Sequence, residues 1–454
     1  MRALAFVVLL LLAPAARAQT LPAVVETAFD LVSPVAPVRQ AAIEALVERG
    51  KADAAAALIL ALRFMPEQDK LDTALTRLTG TPAGAEAGDH WDVWSRWMLW
   101  QETHPEVTPF EGFDDLVARV FRSIDANFGV FLKAGVRHEI RLEEITWGGV
   151  YKDGIPALTN PKLIAAKEAA YLTPGELVFG IEINGDQRAY PLRIMDWHEM
   201  FNDVIGGVPV SLAYCTLCGS GILFETKVEG RAEPFVFGSS GFLYRSNKLM
   251  YDTATNSLWN QFTGRPVVGE LTGSGLELDT RPVVITSWMD WLAAHPATRV
   301  LDIATGHDRD YRPGRPYGKY FGSPDLMFPA HVDQSRLKQK DFVFALRGAG
   351  AEFAWPLARF EGGQVIAEKA GAINVVLIGD AATRTVRAYK SDGRAFTKGA
   401  TLDTPVSEGV AWQVGETALE GPGGQSFPRL PGHVAYWFAW SGYFGAKGTL
   451  AGAP

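Results

Sequence analysis

Two cysteines occur in 454 residues, Cys215 and Cys218, and their C-x-x-C spacing sets two sulfurs on one turn. Two thiolates so placed can approach a single ion from the same side. His198, a short distance upstream, can add a borderline nitrogen donor. Two sulfurs and one nitrogen suit copper, or less well zinc, and suit hard-oxygen metals poorly. A fourth ligand is available from Met200, Met195, Met250, Glu199 or a water. A thioether favours copper, whereas an open water position allows Lewis-acid chemistry. Gly219 stands where a C-x-x-C-H haem attachment needs its histidine, so no haem is expected. No nucleotide cofactor is expected either.

The same pair supports a rival chemistry, thiol–disulfide exchange. A C-x-x-C activates a thiol best at a helix N-terminus. Here Val208 to Tyr214 reads as a strand, and Gly219-Ser220-Gly221-Ile222-Leu223-Phe224 as a turn into another. A third reading makes the cysteines mere packing, in an interaction protein that docks its partner through N-terminal helices. Trp197, Tyr214, Tyr244, Arg245, Asn247, Asp252 and Trp259 concentrate around the motif and are the candidate pocket. Gly238-Ser239-Ser240-Gly241 is one residue short of a G-x-S-x-G elbow and reads as a tight glycine turn between strands.

The elements that position these residues recur. Val178-Phe179 through Tyr190-Pro191-Leu192 returns as Val343-Phe344 through Trp355-Pro356-Leu357, an offset of 165. Gly206 falls on Gly371, and Val208 to Ala213 on Ile373 to Ile378. Pro282, Trp288 and Trp291 match Pro431, Trp437 and Trp440 at the shorter offset of 149. We read an internal duplication. Short alternating runs punctuated by Asn184-Gly185-Asp186 and Ser391-Asp392-Gly393 predict antiparallel hairpins in both copies. At the 165 offset His198 becomes Gly363, Cys215 becomes Asp380 and Cys218 becomes Thr383. All three soft donors leave the second copy together, which points to one site. Gly306 to Pro329, with Tyr311, Tyr317, Tyr320 and Phe321, reads as an ordered connection wedged between the copies.

Ahead of the copies, Arg2, the apolar run Ala3 to Ala13 and Ala16-Arg17-Ala18 form the layout of a secretory signal peptide cleaved after Ala18. The run is too short to span a bilayer, which needs roughly 20 residues, and no later segment is long and apolar enough. Removal of the leader takes the net charge from −8 to −10 by loss of Arg2 and Arg17. A periplasmic or secreted protein is expected, with no transmembrane span and no basic footprint for nucleic acid. Pro37 to Leu78 shows helical spacing with Gly50 as a C-cap, and Trp94, Trp97 and Trp100 read as packing on a further helix.

Asp196-Trp197-His198-Glu199 with Asn202-Asp203, then Tyr214-Cys215-x-x-Cys218-Gly219, Phe237-Gly238-x-Ser240-Gly241-x-Leu243-Tyr244 and Tyr251-Asp252 through Ser257-Leu258-Trp259, resembles a family of exported bacterial and archaeal proteins grouped as a domain of unknown function. The resemblance covers about residues 140–300 and extends more loosely to Trp437-Phe438-Ala439-Trp440. It implies weight for His198, Cys215 and Cys218 and names no reaction. The expected class is α+β: a leader over 1–18, an α-helical module over 19–110, a β-rich copy with the His/Cys site over 111–305, a connection over 306–340 and a degenerate β-rich copy over 341–454. The expected function is metal binding, with trafficking or metal-dependent redox chemistry.

Overall fold

In the computed structural model, which describes residues 22–82, 91–348 and 351–452, helices come first and sheets follow. The expected leader lies outside the described residues. Helices span Ala23–Phe29, Ala36–Arg49, Ala55–Leu62, Gln68–Thr79, Val93–Thr103 and Phe113–Ile124. Pro37 opens the second with its φ already set, and Gly50 closes it in the left-handed region at φ 67°. The all-apolar Ala55–Leu62 is the buried centre of the module. Trp94, Trp97 and Trp100 are buried packing residues, and Trp97 Nε1 donates to Asp72 Oδ1 at 2.7 Å. Helix continues past residue 110, so the stretch assigned to the first copy opens with Phe113–Ile124. Among the described residues no helix is long and apolar enough to cross a membrane.

The module covers a sheet. Phe121, Phe128 and Phe131 surround the ring of Phe242 with centroids 4.9, 4.5 and 6.2 Å away. Each buried ring contributes about 2–3 kcal/mol of hydrophobic stabilisation. Phe242 lies on the strand Phe237–Tyr244, within a sheet ordered Ile145–Trp147, Phe237–Tyr244, Asn247–Asp252, Leu258–Asn260, Arg265–Val268. Gly238 to Gly241 therefore sits inside a strand and is not the turn expected for it. The turn falls at Arg245 and Ser246, both at positive φ. The glycines serve close approach instead: a Cβ on Gly241 would meet the Val150 carbonyl oxygen at 2.4 Å.

Two further five-stranded sheets complete this half, and a four-stranded and a six-stranded sheet form the body of the second. Pairing is mostly antiparallel. Strand register follows the sequence offset: Phe179↔Tyr190 recurs as Phe344↔Trp355, Met200↔Ala213 as Val365↔Ile378, and Cys215↔Ser220 as Asp380↔Thr385. Val284↔Gly180 has its counterpart in His433↔Ala345. The halves also touch: Tyr436 N, on the second half's Gly432–Tyr436 strand, donates to Cys218 O at 2.8 Å.

Between module and sheet lies a buried charge cluster. Glu102 on Val93–Thr103 is packed with Glu144, Arg141 and Arg245, and His331 Nε2 stands 3.8 Å from its carboxylate. Burial, reinforced by the Glu144 charge, pushes the Glu102 carboxyl up to about 8. A carboxyl raised in the folded state binds its proton more tightly there than in the unfolded chain. Its stabilisation is complete below the ordinary value of 4.5 and is lost as pH rises through about 8. Thermal unfolding of the wild type should therefore move to lower temperature between about pH 6 and about pH 9. Glu102→Gln should flatten that slope and unfold later than wild type at the alkaline end; an unchanged slope contradicts the assignment.

Candidate functional site

The C-x-x-C turn joins the strands Val208–Cys215 and Ser220–Glu225, the strand–turn–strand setting the sequence predicts. Cys218 N donates to Cys215 O at 3.2 Å and Gly219 N to Thr216 O at 3.3 Å. Both cysteines are free and buried. Cys215 is 3% exposed and Cys218 is 0% exposed. Burial, then the neighbouring Cys215 thiol, raises the Cys218 thiol well above its ordinary pKa. The Cys218 thiol also donates to Ser246 O at 3.4 Å, and Asn247 Oδ1 lies 3.5 Å from its sulfur. Asn247 Nδ2 is buried with no partner.

Three elements hold the turn. Gln261 Nε2 bridges the strands beneath it, donating to Ala213 O at 2.8 Å and Ser220 O at 2.9 Å. Tyr320 OH, on the connecting segment, donates to Leu217 O at 2.8 Å. From the second half, Tyr436 bonds Cys218 O as described. Gly219 takes φ 62°, and a Cβ there would stand 2.9 Å from the Phe342 ring. The position is restricted to glycine by backbone and by space alike.

Cys215 borders a cavity of about 60 Å³. Its walls are Gly148, Val150, Ile155, Leu217, Gly241, Phe242, Leu243 and Met327, and its polar lining is Glu199, Lys248, Ser239 and Tyr317. Glu199 and Lys248 are a buried ion pair at 2.6 Å. Glu199 Oε1 accepts from Thr216 Oγ1 at 3.0 Å, which ties the pair to the cysteine turn. Glu199 sits at φ 55° where the helix Leu192–His198 ends, a left-handed conformation unusual for a residue with a side chain.

His198 is spent elsewhere. It is fully buried; its Nδ1 lies 2.7 Å from Pro156 O and its Nε2 2.5 Å from Tyr311 OH. Burial lowers its pKa to about 4, so the ring is neutral. A carbonyl only accepts, so Nδ1 carries the proton and Nε2 accepts from Tyr311. Tyr311 OH lies 2.6 Å from Thr305 Oγ1, whose proton it can accept. Among the described residues no group of three His, Cys, Asp or Glu side chains is placed to hold a metal ion.

The remaining predicted residues divide. Glu199 lines the cavity; Met200 and Met250 share one buried cluster with both cysteines, and Met195 belongs to another. Trp197 Nε1 donates to Asp310 O at 2.8 Å, and Tyr214 OH to Asp196 Oδ1 at 3.2 Å. Tyr244 and Arg245 join the charge cluster under the module, Arg245 pairing with Glu144 at 2.7 Å. Asp252 accepts from Trp259 Nε1 at 2.9 Å and from the Thr255 amide and hydroxyl, a structural arrangement. Lys248, Ser239, Tyr317 and Met327 are cavity residues that sequence reasoning missed. Only the D-W-H-E motif hinted at Lys248, by placing a carboxylate where a buried cation must answer it.

A family model described as "Protein of unknown function (DUF3179)" matches residues 152–447, which takes in both halves and leaves the helical module outside. No curated protein and no solved structure matches the chain.

His198 thus latches the connecting segment. Since its pKa is lowered, its stabilisation is complete above the ordinary 6.5 and is lost as pH falls through about 4. Removing the latch with His198→Ala should cost about 2–4 kcal/mol, from the cavity and the orphaned Tyr311 hydroxyl. Amide hydrogen exchange should speed up across residues 305–320. Unchanged exchange there would show that His198 does not hold the segment.

Proposed function

The chain belongs to the DUF3179 family of proteins of unknown function, and we propose that it is an exported thiol redox protein working through Cys215 and Cys218. One observation carries this: two free, buried thiols on one turn, of which Cys215 borders a cavity while Cys218 is sealed behind it. That asymmetry separates an attacking from a resolving thiol. Cys215, as the thiolate, attacks an acceptor; the Cys218 sulfur then displaces the reduced acceptor and an S–S bond forms. The two thiols give up two electrons and two protons, and the acceptor takes the electrons. Asn247 Oδ1 lies 3.5 Å from the Cys218 sulfur and can accept from its thiol, which holds Cys218 in its protonated, resolving form. The leader-like pattern of residues 1–18 supports export.

A copper or zinc ion on His198, Cys215 and Cys218 is the competing reading. It is less well supported, because Pro156 and Tyr311 already occupy both ring nitrogens of His198. Two thiolates with Met200 or Met250 from the same buried cluster would remain a copper site of another composition.

Equilibration of the full chain in thiol–disulfide buffers, read by alkylation and mass, distinguishes them. A redox protein should show one two-electron midpoint that disappears in Cys215→Ser and in Cys218→Ser. Stoichiometric copper or zinc in protein isolated without chelator, and lost in both variants, would overturn the redox reading. So would a pair that no oxidant closes.

A further inference from the structure

Resting on that redox reading, we propose that the acceptor attacked by Cys215 is a small hydroperoxide and not a disulfide. The cavity sets the size. At about 60 Å³ it has room for only a few heavy atoms, since one water needs roughly 10–15 Å³ on the same measure. Cys215 is 3% exposed, and no other route to its sulfur is offered by Cys218, which is fully buried. A disulfide substrate must bring two sulfurs and two methylene groups into line, with Cβ atoms about 3.8 Å apart and chain beyond each. Val150, Ile155, Tyr317 and the half-exposed Met327 line the approach to Cys215, which is itself buried, so a disulfide would have to reach in past them. A hydroperoxide needs to insert only its two oxygens.

The polar lining fits the same class. The Lys248 ammonium borders the cavity, held by Glu199 at 2.6 Å, and is a donor for an oxygen that becomes anionic as an O–O bond breaks. Cys215 gives up its thiol proton and its sulfur attacks one peroxide oxygen; the O–O bond breaks, and the leaving oxygen takes up that proton to depart as water or an alcohol. Cys215 is then a sulfenic acid, oxidised by two electrons, and the peroxide is reduced by two. The Cys218 thiol next attacks the sulfenic sulfur; the S–S bond forms, and the sulfenic hydroxyl leaves with the Cys218 proton as water.

The test uses the full chain, reduced and freed of metal, with hydrogen peroxide, tert-butyl hydroperoxide, glutathione disulfide and a disulfide-bonded unfolded protein as separate oxidants. Hydrogen peroxide should close the pair at least about tenfold faster than either disulfide does, a difference of about 1.4 kcal/mol in barrier. In Cys218→Ser, hydrogen peroxide should leave a sulfenic acid on Cys215 that dimedone traps. Lys248→Met together with Glu199→Gln, which removes the ion pair as a unit, should slow the peroxide reaction. Met327→Ala, which widens the wall, should speed tert-butyl hydroperoxide more than hydrogen peroxide. A disulfide that closes the pair as fast as hydrogen peroxide overturns the peroxide assignment and leaves the redox pair standing. A pair closed by none of the four overturns both.

Discussion

Lys248 and Glu199 are buried together, 2.6 Å apart, and neither could be buried alone. Each isolated charge would lose several kcal/mol of hydration in that position. The surrounding structure is what keeps the pair joined and dry. The helix Leu192–His198 delivers the carboxylate through a left-handed exit at Glu199. The hairpin turn at Arg245 and Ser246 delivers the ammonium on the second residue of the next strand. Thr216 takes the second carboxylate oxygen, so the ion pair and the cysteine turn are positioned by one network. Behind the sheet, the helical module packs its phenylalanines on Phe242, a wall of the same cavity.

The two halves put a similar turn to different use. In the first, the turn after Val208–Cys215 is sealed by Tyr436 from the second half and Tyr320 from the connection. In the second, the turn after Ile373–Asp380 borders a wider cavity of about 360 Å³ that also takes in Asp290, Arg387 and Asp403. Thiols require shelter from uncontrolled oxidation, whereas Asp380 and Thr383 do not. Enclosure therefore goes with the sulfurs, at the same position in strand register.

Much of this organisation was legible from the chain. The alternating runs and their turns predicted antiparallel hairpins, and the pairings found in the two halves keep the same offset of 165, since a slip of one residue would turn the core face outward. Gly50 and the apolar spacing of Pro37 to Leu78 predicted helices for a comparable local reason. What the chain did not show was long-range. The partners of His198, Pro156 and Tyr311, lie 42 and 113 residues away in sequence. Lys248 carries no local mark in the sequence, since only the fold brings it to Glu199, 49 residues distant. Tyr317 and Met327 came from a segment without periodicity, where sequence says that a loop exists and not where it lies.

Asp196, Trp197, His198 and Glu199 form a compact motif whose side chains meet different parts of the fold. Successive helical side chains project about 100° apart, so the last residues of Leu192–His198 point to different neighbours. Asp196 meets Tyr214, Trp197 meets Asp310 and His198 meets both Pro156 and Tyr311. Glu199, turned out of the helix by its positive φ, meets Lys248 and Thr216. One short helix end thereby joins the cysteine strand, the connecting segment, the loop before the second sheet and the buried cation. The motif acts as a junction, and through Glu199 it sets a charge pair on the same small cavity that the Cys215 thiol borders.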